Sequence, residues 1–143
     1  MTLIKKRILA IDYGTKRIGL AKSDPLQLFA EPIGTFSEPL LYTQIQSLLE
    51  QDGIEKILVG YPTGKDGSPN RMTAVVDSFI DRLKQRFPAV PVERIAEFGS
   101  SKQAMRLLIE NGVSRKARQT KGRLDRAVAS LLLQAYLEQH GRP

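Results

Sequence analysis

Short apolar runs alternate along this chain with stretches of helical periodicity. Arg7–Asp12 (RILAID) is a run of strand formers closed by Tyr13 and Gly14, and it predicts a buried strand. Residues 17–23 (RIGLAKS) come after a tight turn, so the two predict a hairpin. Ala30–Phe36 predicts a third, weaker strand. Leu40, Leu41, Ile45, Leu48 and Leu49 then recur at helical spacing, with an end near Gly53. Residues 56–61 (KILVGY) predict another buried strand, followed by a polar, Gly- and Pro-rich loop over 62–70. Met72, Val75, Val76, Phe79, Ile80 and Leu83 mark an amphipathic helix that stops before Pro88. A strand over 90–97 is interrupted by Pro91, which predicts an edge position or an irregular start. Residues 101–111 predict a helix with Ser100 or Ser101 as N-cap and Gly112 as stop. Residues 123–139 predict the last helix.

The order β-β-β-α-β-α-β-α-α predicts a mixed sheet. Three strands on short links form its antiparallel part, and strand–helix alternation adds parallel strands. With no repeat, low-complexity tract or linker, the expectation is a single α/β domain over 1–143.

Composition narrows the chemistry. At 143 residues the chain falls within one domain of roughly 100–150 residues. The absence of cysteine excludes disulfides, thiolate zinc sites and cysteine nucleophiles. His140, the sole histidine, lies close to the end of the sequence, which excludes Ser-His-Asp catalysis and multi-histidine metal sites. Carboxylates, hydroxyls, lysines and arginines remain. No run approaches the ~18 apolar residues of a membrane span. The N-terminal charges lie inside the apolar stretch rather than ahead of it, unlike a signal peptide. A cytoplasmic protein without membrane contact is expected.

The net charge of +7 is unevenly placed. Arg115, Lys116, Arg118, Lys121, Arg123 and Arg126 face Asp125 alone within one segment. Such a cluster repels itself unless something anionic meets it, and a nucleic-acid backbone is the common partner. A solvated basic loop is the plain alternative.

Three carboxylates stand out. Asp12 ends the first strand on the face of Ile8 and Ala10, where α/β sheets place their ligands. Gly14 would let a substrate or metal come close to the backbone. A turn-forming aspartate is the ordinary alternative. Asp125 shares a helix face with Val128, Ala129 and Leu132, beside a stripe of Leu124, Val128, Leu131 and Ala135. It would thus head the face packed on the sheet, unless it merely complements the helix dipole. Glu97 closes the last strand and gains interest only from that position. Together the three could converge on Mg²⁺ or Mn²⁺, hard cations that prefer oxygen ligands. Gly60 to Lys65 looks like a phosphate loop but is one residue short, with Asp66 where a hydroxyl belongs. Gly99-Ser100 lacks the pattern of a nucleophile elbow.

Asp12-Tyr13-Gly14-Thr15-Lys16-Arg17-Ile18-Gly19, then Ser23-Asp24-Pro25, then Val59-Gly60-Tyr61-Pro62 with Asp66-Gly67-Ser68, resemble the YqgF family, also called RuvX. The segment from Arg115 to Asp125, with Leu131-Leu132-Leu133-Gln134 and Tyr136-Leu137 behind it, is similar to that family's C-terminal helix. The resemblance covers nearly the whole chain. It implies an RNase H-like fold with a five-stranded sheet of order 3-2-1-4-5, flanked by helices. It also implies kinship with Holliday-junction resolvases and with nucleases that process the 5′ end of pre-16S rRNA. Position by position, the family's acidic residues fall on Asp12, Glu97 and Asp125. The chain departs from the pattern around Glu97, where Ala96-Glu97-Phe98 replaces Asp-Glu-Arg and Gly99-Ser100-Ser101 replaces a leucine and a hydroxyl pair.

The expected chemistry is metal-dependent phosphodiester hydrolysis. Asp12 would bridge two Mg²⁺ or Mn²⁺ ions, with Glu97 and Asp125 completing their shells, in the manner of sites with metals ~3.5–4 Å apart. Lys16, Arg17, Arg115, Lys116, Arg118, Lys121 and Arg123 would hold the phosphate backbone of pre-rRNA or branched DNA without reading bases. The protein would act as a monomer or a homodimer. Two other classes stay open: a non-catalytic RNA- or DNA-binding module, and an ATP-binding protein of the actin-like kind, whose D-x-G-T motif Asp12 to Thr15 also fits.

Overall fold

A computed structural model describes residues 5–62, 71–96 and 123–140. Its elements run β1 (Arg7–Asp12), β2 (Ile18–Ser23), β3 (Ala30–Phe36), α1 (Glu38–Gln51), β4 (Ile54–Tyr61), α2 (Arg71–Arg86), β5 (Val92–Ala96) and α3 (Arg123–His140). The strands form one sheet in the order β3-β2-β1-β4-β5. β1–β2 and β2–β3 pair antiparallel, whereas β1–β4 and β4–β5 pair parallel. The expected order and mixed character are therefore both present. The expected helix over 101–111 lies outside the described residues.

The sheet is covered on both faces. Leu9, Ile11, Ile57 and Val59 point to one side and pack with Leu41, Ile45 and Leu48 of α1 and Val76, Phe79, Ile80 and Leu83 of α2. Ile8, Ala10, Ala21 and Leu58 point to the other and pack with Ala129, Leu133 and Leu137 of α3. This alternation is why central strands buried on both faces read as continuous apolar runs.

Boundaries differ from the sequence reading where tertiary pairing decides them. β2 starts at Ile18 rather than 17, because Arg17 belongs to the turn. β4 begins two residues early, since Ile54 pairs with Arg7 and Glu55 is bulged out of the ladder. β5 starts at Val92, at the edge of the sheet, and the carbonyl of Pro91 accepts from the Ile57 amide just before it. Gly53, at φ +79, ends α1 in the left-handed region, and its amide donates to the Leu48 carbonyl. On α3 the expected face of Val128, Ala129 and Leu132 is buried, whereas Ala135, expected on the adjoining stripe, is exposed. Burial continues from that face through Leu133 and Leu137, with Leu131 partly buried, because the sheet lies under that side.

Candidate active site

Asp12 is the last residue of β1, in register with Gly19 of β2. The β1–β4 ladder stops one residue earlier, at Ile11 and Val59. Pleating gives Asp12 the side of Ile8 and Ala10, which is the side of α3, and it is half-buried there. Tyr13 takes the opposite side. Its ring stacks on Phe79 of α2 with centroids 4.4 Å apart and planes 28° from parallel. A Cβ on Gly14 would come within 2.5 Å of the Arg17 carbonyl oxygen. The closeness expected at Gly14 thus serves the chain's own turn rather than a ligand. That turn carries Lys16, exposed, and Arg17, half-buried, to the same edge as Asp12.

The direction of α3 is set by its contacts. Gln134 accepts from the Ala30 amide and Tyr136 accepts from Lys56 Nζ at 2.6 Å, both at the level of Ile8, where β1 begins. Val128 and Leu132 instead pack on Ile95, which pairs with Gly60 at the level where β1 ends. α3 therefore runs antiparallel to β1. Position 125 lies about one turn beyond Val128, toward the edge that holds Asp12. The side chains of Arg123 and Asp125 lie outside the described residues, as do Glu97, Arg115, Lys116, Arg118 and Lys121. β5, whose last residue Ala96 pairs with Tyr61, ends at this same edge. Among the described residues no three carboxylate or imidazole side chains cluster.

Sequence reasoning missed two polar networks behind this edge. Tyr13 Oη donates to Glu38 Oε1 at 3.4 Å, and Arg82 grips Glu38 through two contacts of 2.8 and 2.9 Å. Tyr42 also donates to Glu38. The Arg82 hydrogen bonds hold the Glu38 carboxyl below its usual range, while burial and then Glu38 push the Tyr42 phenol up to about 12. In the second network Tyr61 donates to Asp77 at 2.9 Å and Arg94 donates to the other oxygen at 3.0 Å. The Tyr61 hydrogen bond, then Arg94, lowers the Asp77 carboxyl. Glu38 and Arg82 are 44 residues apart, so periodicity carries no sign of them; only the tyrosines closing β1 and β4 hint at a shared role.

No described helix is long and apolar enough to cross a membrane. Residues 6–139 match the family model described as RuvX, Holliday junction resolvase. A protein of Chlorobium phaeobacteroides named "Putative pre-16S rRNA nuclease" is 59% identical over 95% of this chain and 94% of its own. A protein of the same name from Chlorobaculum tepidum is 49% identical over 94% and 95%. In structure, the chain is similar to Thermus thermophilus RuvC in complex with a Holliday junction substrate, with a TM-score of 0.51 at 16% identity over 94% and 96% of the two chains. That likeness identifies the RNase H-like fold.

Proposed function

The chain belongs to the RuvX family and is a nuclease by that membership, and from this premise we propose metal-dependent hydrolysis of phosphodiester bonds at the edge where β1 ends. The observation that carries the proposal is the place of Asp12: the end of a central strand, on the side of the sheet toward which the first turn of α3 leads. Oxygen donors are what the inventory offers there, in a chain without cysteine, and they suit Mg²⁺ or Mn²⁺. Asp12, Glu97 and Asp125 would hold the metal. When bound, such ions supply Lewis acidity and an activated water.

The chain's own contributions are positional. Asp12 presents a carboxylate at a fixed strand end, and Lys16 and Arg17 stand on the adjoining turn, where they can hold phosphates. Arg115, Lys116, Arg118, Lys121 and Arg123 would extend that hold along the backbone. The names of close relatives favour the 5′ end of pre-16S rRNA as substrate. The description of the family model favours a four-way DNA junction as the second reading.

The test offers purified protein both substrates with Mg²⁺, Mn²⁺ or EDTA. Cleavage of the RNA with metal and at least a hundredfold loss in Asp12→Asn, its fold intact by circular dichroism, is the expected result. Undiminished cleavage by Asp12→Asn removes the proposal. Binding that persists in EDTA with no cleavage under any metal selects a non-catalytic nucleic-acid module instead.

A further inference from the structure

We propose that Tyr13 is a positioning residue for Asp12, fixing the carboxylate by anchoring the backbone immediately beyond it to the opposite face of the sheet. The inference rests on the reading that Asp12 holds metal. The ladder around that residue is asymmetric. Asp12 is paired with Gly19 on the β2 side, but on the β4 side pairing has already ended at Ile11. The residue closest to the chemistry is thus paired along the sheet on one side.

Tyr13 and Gly14 anchor the backbone just beyond it. The Tyr13 ring lies against Phe79, which is fully buried, at 4.4 Å between centroids. Its hydroxyl donates to Glu38 at 3.4 Å and accepts from Arg82 at 3.5 Å. Those two contacts are long, so the ring stack carries most of the hold. Glu38 and Arg82 in turn tie α1 to α2, so the ring is seated on two elements that are themselves joined. One residue further, Gly14 folds beneath the Arg17 carbonyl and fixes the departure of the turn. A shift of Asp12 along the α3 side requires Tyr13 to lift from Phe79. A ligating group must stay within about 0.5 Å of its productive place, and this arrangement supplies that restraint from the face away from the metal.

The readout is Mn²⁺ affinity of the nucleic-acid-free protein, measured by electron paramagnetic resonance. Tyr13→Leu is expected to bind Mn²⁺ five- to tenfold more weakly, while Tyr13→Phe, which keeps the ring, stays within twofold of the unsubstituted protein. Leu48→Ala, in the α1 core, serves as a control for general destabilisation and keeps its affinity although its Tm falls. If Tyr13→Leu does not fold, Phe79→Leu removes the stack from its other side and is expected to weaken binding alike. Unchanged affinity in folded Tyr13→Leu or Phe79→Leu overturns this inference alone. So does an equal loss in Leu48→Ala. Absence of Mn²⁺ binding that depends on Asp12, read with Asp12→Asn, overturns the metal reading and this inference with it.

Discussion

At the scale of single residues, the edge around Asp12 is held by features of unequal visibility. Gly14 is marked in the sequence, but its reason is not: a side chain there meets the backbone oxygen of Arg17 rather than a ligand. Gly14→Ala is expected to cost about 1–3 kcal/mol, read by urea denaturation, because backbone must move to admit the methyl. Ser23 belongs to a motif of the family resemblance, but its structural role is not visible in the sequence. It is fully buried, and its Oγ accepts the Ile8 amide at 2.8 Å. Ser23→Ala leaves that donor unpaired and is expected to cost about 1–3 kcal/mol in the same measurement. Glu38 adds a pH dependence. Arg82 lowers its carboxyl pKa in the folded protein, so the stabilisation is complete above the ordinary carboxyl value of 4.5 and is lost as pH falls through the lowered one. The Tm gap between the unsubstituted protein and Glu38→Gln should be widest near neutrality and close below pH 4.5.

At the scale of elements, hydrophobic period located the strands and helices, and pairing set their ends. The apolar runs of β1 and β4 announce burial on both faces, yet only their ladder shows that Glu55 is bulged and Ile54 paired. α3 is the instructive case. Its helical pattern is clear, but two adjacent stripes satisfied it, and the sheet chose the one through Ala129, Leu133 and Leu137 over Ala135. Leu133 is fully buried against Ile8, Ala10 and Leu58. Leu133→Ala is expected to destabilise by about 2–5 kcal/mol in denaturant titration, since it removes apolar contact and leaves a cavity under the helix. Gln134 beside it clasps the entry to β3 by accepting from the Ala30 amide at 2.9 Å. Its seat at the N-terminal level of β1 is one of the contacts that orient α3 and so carry its first turn to Asp12.

At the scale of the molecule, the proposed function would join an edge of the sheet to charge gathered elsewhere in the chain. If the basic segment grips nucleic acid, replacing Arg115, Lys116 and Arg118 with alanine should weaken binding across sequences. It should also flatten the log–log salt dependence by about 2–3, at ~0.9 per phosphate contact on duplex. Filter binding between low and moderate salt reads both effects; an unchanged slope makes the segment a bystander. The family, the order of elements and the candidacy of Asp12, Glu97 and Asp125 were legible before any coordinates, because local periodicity and short motifs are written in neighbouring residues. The sequence by itself also determined which chemistry was open, since a chain without cysteine and with one histidine leaves oxygen and cationic groups to act. Only the tertiary structure decided that Tyr13 stacks on Phe79, that α3 runs against β1, and that Glu38 meets Arg82 across 44 residues. Those depend on which surfaces are left to bury once the sheet has formed, and that is a property of the assembled elements rather than of any stretch of chain.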